Sequence, residues 1–179
     1  MKLHRRVSID RPPEDVFALV SDPERLAGFF VGITLWQVKS RLRRGKGARY
    51  RVLMRVGSIE AGGVLRLTEW REPELIEWES ESGITQRGRW EVRPAAGGAS
   101  ELDLEIDFSL EGPGSWLVER LAGRAVARNM TASLLAARRL LEFERPAQTA
   151  RTARPNQAAG PTRAQRPARA AAGVGRRAR

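Results

Sequence analysis

Glu101-Leu102-Asp103-Leu104-Glu105-Ile106-Asp107-Phe108 alternates acidic and apolar residues without a break. A period of two is the mark of a strand with one dry face and one wet face. Leu102, Leu104, Ile106 and Phe108 then look into a core, and the four acids look out. The preceding run, Gln86–Arg93, obeys the same rule, with Gly88, Trp90 and Val92 inward and Arg87, Arg89, Glu91 and Arg93 outward. The run before that, Leu75–Glu81, turns Ile76 and Trp78 in and Glu77, Glu79 and Glu81 out. Pairing the three strands in order lays an arginine-rich outer row between two acidic rows. Each cross-strand pair contributes only ~0.2–1 kcal/mol, but the whole pattern favours one register over its neighbours. The charged stripe therefore reads as a solvated sheet face.

Upstream, the same period marks strands at Ile33–Ser40, Ala48–Val56 and Ile59–Trp70. Gly45-Lys46-Gly47, Gly57-Ser58, Glu72-Pro73, Ser82-Gly83 and Ala95-Ala96-Gly97-Gly98 supply the connections, all short and of turn type. Short links between successive strands give an antiparallel meander, because parallel pairs need long crossovers. Val7 and Ile9 add a short first strand. Asp10-Arg11-Pro12-Pro13-Glu14-Asp15 then reads as a helix start, with Asp10 as the cap, prolines suited to the first turn, and acids facing the positive helix end. Val16, Phe17, Leu19 and Val20 supply its buried stripe. Ser21-Asp22-Pro23-Glu24 repeats the signal and starts a second short helix over about Pro23 to Ala27.

Downstream, Ser115 to Glu144 holds the longest helical period, with Leu117, Leu121, Ala125, Met130, Leu134, Ala137 and Leu141 on one stripe. At 1.5 Å per residue such a helix reaches ~45 Å, long enough to cross the whole inner face of the sheet. Its midsection, Ala122-Gly123-Arg124-Ala125-Val126-Ala127, is built of small residues. Either the helix approaches the sheet closely there, or space is left beneath it. The resulting fold class is α+β: a seven-stranded curved antiparallel sheet, two short helices after the first strand, and a long C-terminal helix.

The chain has 179 residues and a net charge of +11. Nine arginines and no acid lie in residues 145–179, so residues 1–144 carry a net of only +2. That tail is almost all Ala, Arg, Pro, Gly, Gln and Thr, a composition that cannot bury enough apolar surface to fold. We expect a domain over residues 1–144 and a disordered basic tail over 145–179. Spaced arginines suit weak, salt-dependent contact with nucleic acid or anionic membrane. The tail has no aromatic residue for base stacking, and a passive, composition-biased extension is the plainer explanation. No cysteine is present, which excludes disulfides, thiolate metal sites and cysteine nucleophiles. No apolar run approaches the ~20 residues of a membrane span, and the first residues do not resemble a signal peptide. A cytoplasmic protein is the expectation.

Ile9-Asp10-Arg11-Pro12-Pro13-Glu14-Asp15-Val16-Phe17, then Ser21-Asp22-Pro23-Glu24, Gly45-x-Gly47, Leu67-Thr68-Glu69-Trp70-Arg71-Glu72-Pro73 and the closing Leu140-Leu141-Glu142 occur in a telling order. Together they resemble the START-related (SRPBCC) superfamily, specifically its polyketide cyclase/dehydrase-like branch, over residues 3 to 144. The resemblance implies a helix-grip fold and a hydrophobic ligand cavity between sheet and long helix. It implies no single activity, since that superfamily includes cyclases, lipid carriers, hormone receptors and chaperone activators.

Candidate chemistry is sparse. The only histidine is His4, near the N-terminus, and we expect neither a metal site nor a catalytic triad nor a bound cofactor. The glycines of Arg44-Gly45-Lys46-Gly47 lack the strand-to-helix context of a phosphate loop and read as a hairpin turn. Tyr50 shares a face with Ala48, Val52, Met54 and Val56, which puts a hydroxyl in an apolar wall. Gln86 shares the face of Trp90, and Asn129 and Ser133 sit beside the buried stripe of the long helix. In Val64-Leu65-Arg66-Leu67-Thr68-Glu69 parity alone leaves open whether Arg66 and Thr68 or Glu69 look inward; Leu65 and Leu67 favour Glu69 near the cavity end, the alternative being a surface pair with an arginine. Tyr50, Glu69 and Asn129 are thus the catalytic candidates for orienting or protonating a polyketone. The expected pocket wall is Trp36, Tyr50, Val52, Met54, Leu67, Trp78, Gln86 and Trp90 from the middle strands, with Leu104 and Ile106 from the last. Leu121, Ala125, Asn129 and Met130 face it from the helix. Trp36, Trp78 and Trp90 either line a cavity suited to flat apolar ligands or fill a solid core. The leading expectation is a binding module for a lipid, isoprenoid or polyketide-like molecule; the other is a cyclase or dehydratase.

Overall fold

The computed structural model describes residues 1–56, 58–109 and 115–143. Strand β1 (Lys2–Ile9) is followed by helices α1 (Pro13–Val20) and α2 (Pro23–Phe29). Strands β2 (Ile33–Val38), β3 (Arg49–Val56), β4 (Ile59–Arg71), β5 (Leu75–Gly83), β6 (Thr85–Pro94) and β7 (Ser100–Ser109) form the meander, and α3 (Ser115–Phe143) closes the fold. All seven strands belong to one antiparallel sheet in the order β1-β7-β6-β5-β4-β3-β2. The helix-grip α+β architecture read from the sequence is the one found; the limits of β2 to β7 differ from expectation by one or two residues, whereas β1 starts at Lys2, well ahead of the Val7 and Ile9 that marked it. The expected tail over residues 145–179 and the final helix residue, 144, lie outside the described residues.

Two local expectations change. Asp10 does not cap α1: the capping position is Pro12, with no side-chain hydrogen bond, and Glu14 and Asp15 occupy the first turn. Asp10 lies too far upstream to reach, and its backbone N–H faces Glu142 of α3 instead, at 3.3 Å. The second start behaves as expected, and α2 runs two residues further than read. Asp22 caps it, its side chain accepting from the N–H groups of Glu24 (2.9 Å) and Arg25 (3.3 Å).

The outer face carries the charge ladder. Glu77 and Glu79 of β5 stand opposite Arg89 and Arg87 of β6, and Arg87 and Arg89 stand opposite Asp107 and Glu105 of β7. β1 adds a further basic row, with Lys2 on Glu105 at 2.9 Å and Arg6 on Asp103 at 2.9 Å. Exposed pairs of this kind contribute little singly. Asp103 differs, because its side chain is only 4% exposed. It accepts hydrogen bonds from Arg6, from Arg93 at 2.7 Å, and from His4, so the histidine is tied into the sheet and not free in solvent as a lone terminal histidine would be. Burial alone pushes the Asp103 carboxyl up, but hydrogen bonds from Arg6, His4 and Arg93 outweigh it and hold the group below the usual carboxylate range.

That depressed value has a defined sign. Its stabilising effect is present above the unfolded carboxylate pKa of ~3.9 and disappears as pH falls through the lower folded value. Asp103→Asn is expected to cost about 2 kcal/mol at pH 7, toward the low end for hydrogen bonds to charged groups because the arginines remain half exposed. Urea unfolding at pH 7 and pH 3 measures it. A deficit that persists undiminished at pH 3 would show that the carboxylate charge is not its source.

Candidate functional site: a tryptophan-walled cavity under the long helix

Trp90 on β6 is buried at the centre of the inner face, and Phe30, just after α2, meets its ring edge-on at 5.9 Å. Trp78 lies opposite Gly88 across the β5–β6 pair. The indole occupies the space where a Cβ at residue 88 would stand, so the missing side chain lets the ring lie down on the sheet. Trp36 on β2 tilts against Tyr50 on β3, ring centres 5.3 Å apart. These rings and their aliphatic neighbours line a partly open cavity of about 630 Å³ between sheet and α3. That is well inside the ~300–1,000 Å³ of small-molecule sites and far beyond a packing defect.

The small-residue midsection of α3 explains the space. Both outcomes foreseen for it occur, on different sides of the helix. Gly123 packs against the end of the Met1 side chain just before β1, which a larger residue would have to displace. Ala122, Ala125 and Val126 face the cavity and project too little to fill it. The helix is therefore tight against β1 and leaves room above the middle strands. Its course is not an even cover of the inner face.

Of the residues expected to line a pocket, Trp36, Tyr50, Val52, Met54, Leu67, Trp78, Gln86, Trp90, Ile106 and Ala125 do so. Leu104 and Met130 do not; both are fully buried in the packed core, where parity gives the correct face but the helix has closed the gap. Asn129 is half-buried and off the cavity wall, with its amide packed over Gly32. The side chain of Leu121 lies outside the described residues.

Glu69 is a clear correction. It stands away from the cavity and pairs with Lys46 at 3.2 Å. The β4–β5 register shifts between Leu67 and Glu69. This one-residue bulge at Thr68 reverses inward and outward for everything after it. Trp70 takes the inward place instead, lining the cavity and meeting Phe17 of α1 edge-on at 5.4 Å. A single extra residue has no compositional mark, so simple alternation could not reveal it.

The polar complement of the wall is small. Burial pushes the Tyr50 hydroxyl's pKa up, so it stays protonated, and it donates to the Arg43 carbonyl oxygen at 2.5 Å. Tyr50→Phe is expected to cost about 1 kcal/mol of stability for that one hydrogen bond, read as a shift in the urea midpoint. A neutral result would mean that water replaces the contact freely. Trp36 Nε1 is sealed from solvent and has no hydrogen-bond partner among the described residues. An orphaned donor of this kind is costly, ~1–3 kcal/mol. Gln86 contributes an amide and Arg128, missed in the sequence reading, a guanidinium.

A family model described as polyketide cyclase / dehydrase and lipid transport matches residues 1–142. The chain belongs to that family. No curated protein is similar enough in sequence to match. Among solved structures, the TTHA0849 protein of Thermus thermophilus superposes with a TM-score of 0.70 at 20% identity, covering 79% of this chain and 97% of the other. The Zhui aromatase/cyclase from Streptomyces sp. R1128 gives 0.67 at 18% identity, covering 79% and 93%. A START superfamily protein from Mycobacterium smegmatis gives 0.61 at 18%, covering 78% and 98%. At these identities the likeness fixes the helix-grip frame and leaves the chemistry of the family member in hand to its own cavity. No helix among the described residues is long and apolar enough to cross a membrane.

Proposed function

We propose that the protein binds a hydrophobic small molecule, such as a lipid, an isoprenoid or a polyketide-like aromatic, in the cavity beneath α3. One observation carries this reading: a partly open cavity of about 630 Å³ whose wall is built almost wholly of tryptophan, phenylalanine and aliphatic side chains. Water gains few hydrogen bonds in such a space, and burying a ligand's apolar surface gains ~25 cal/mol per Å². Native mass spectrometry of the full chain, with solvent extraction of the purified protein, tests it. A bound mass in the small-molecule range is expected. Protein that carries nothing and takes up no long-chain or polycyclic compound would overturn the proposal.

A cyclase or dehydratase is the second reading, favoured by the orphaned Trp36 N–H. The N–H is sealed in the free protein, so a polyketone carbonyl accepts from it only after the indole or its neighbours shift to open it. Tyr50 is the remaining acid candidate on the wall, though its proton is committed to Arg43. Turnover of a polyketone that is unaffected by Tyr50→Phe and Trp36→Phe would remove this mechanism.

A further inference from the structure

Among the described residues, Arg128 is the one charged side chain on the cavity wall. It is exposed on α3 and also borders a second, shallow groove with Arg5, Arg124 and Thr131. Arg128 thus borders both spaces, whereas Arg5 and Arg124 line only the groove. Arg5 is steadied there by a hydrogen bond from its Nε to Thr131 at 3.2 Å. Many arginines elsewhere are paired, such as Arg49 with Glu81, Arg87 with Asp107, Arg93 with Asp103, and Arg138 with Glu142 on this same helix. Arg124 and Arg128 have no acidic partner among the described residues. Arg120, Arg124 and Arg128 also recur at four-residue spacing, an arrangement of like charges that weakens a helix. The row is thus a local cost to α3, and it runs to the cavity.

We propose that the ligand is an anionic amphiphile, its apolar body in the cavity and its carboxylate or phosphate head on Arg128, with Arg124 and Arg5 as an outer basic shelf. This rests on the binding reading above and adds the polarity and orientation of the bound molecule. The planar guanidinium matches either oxyanion through two parallel N–H donors. A neutral head would leave Arg128 no better satisfied than water does. Arg124 and Arg5, further out, act through the field and set the salt dependence of capture.

The test compares ligands with one body and different heads, titrated calorimetrically below their micellar concentrations into the full chain. Oleate, oleyl phosphate and oleyl alcohol form one set; 2-anthracenecarboxylate and 2-anthracenemethanol form the other. In at least one set the anion is expected to bind ~10-fold tighter than the alcohol, which corresponds to about 1.4 kcal/mol. Arg128→Gln is expected to bring the anion's affinity down to that of the alcohol measured on the same variant. Arg139→Gln, which takes the same charge from an exposed site elsewhere on α3, preserves the preference. The oleate and oleyl phosphate arms decide between a carboxylate and a phosphate head. Equal affinity for acid and alcohol overturns this inference and leaves hydrophobic binding standing. A preference that survives Arg128→Gln overturns the assignment to Arg128. Failure of every compound to bind overturns both readings.

Discussion

Ala125→Trp is expected to abolish ligand binding and leave the fold in place. Ala125 lies between Ala122 and Val126 on the cavity-facing side of α3, and its methyl group fills almost none of the space beneath it. An indole there enters the cavity and removes volume that a ligand needs. Overpacking normally costs ~1–3 kcal/mol because a dense core has nowhere to put added atoms. Here the atoms enter free space, so the melting temperature should hold or rise. Affinity for any ligand recovered from the protein should fall at least ~100-fold, about 2.8 kcal/mol. Calorimetric titration beside a thermal melt separates the two effects. Unchanged affinity in a well-folded variant would move the binding site elsewhere.

The second large effect is on stability. Phe17→Ala removes a ring that is 1% exposed and stands edge-on to Trp70 at 84°. Truncating a buried phenylalanine costs ~3–5 kcal/mol through lost transfer energy and the hole left behind. Against a total stability of ~5–15 kcal/mol that is a large share. The edge-to-face pair adds a directional contribution, ~0.5–1.5 kcal/mol, which also braces Trp70 as part of the cavity wall. Urea unfolding should show a lower midpoint with an unchanged slope. A loss below ~1 kcal/mol would mean that neighbours collapse into the vacated space and that Trp70 does not depend on Phe17.

Much of this fold was written in plain periodicity. The acid–apolar alternation of residues 101–108 and the opposing arginines of 87–93 specify both which face is dry and which strands are neighbours. Asp22, with Pro23 behind it, announces α2 because its cap is a local bond that needs no tertiary partner. The errors in the site arise where a long-range fact intervenes. Thr68 interrupts the β4–β5 ladder, so Glu69 and Trp70 exchange sides against the alternation. Leu104 and Met130 lie on the correct faces, yet whether a dry face meets another side chain or a void depends on how α3 is set down. Small residues at 122–126 signal that choice without making it. Arg128 escaped notice because an exposed arginine on a helix is ordinary until the cavity beside it is known. His4 shows no sign of a partner in the sequence, because Asp103, which β7 brings against it, lies about a hundred positions later.

The pairing of β1 with β7 also sets an order of events. Lys2 is opposite Asp107 and Ile9 opposite Ser100, so the partner follows by roughly 90 to 105 residues, ~5–20 s of synthesis at ~5–20 residues per second. Hairpins of the β2–β6 meander close within microseconds once both arms exist, whereas β1 must wait, with Val7 and Ile9 uncovered. Pulse-labelled hydrogen exchange during refolding should protect β3–β6 before β1, and simultaneous protection would count against it. The cavity roof depends on the same late step, because α3 rests chiefly on β1. A nascent chain therefore acquires its cavity wall before its lid, and an apolar molecule present at that moment has access to the open trough without any helix having to move aside.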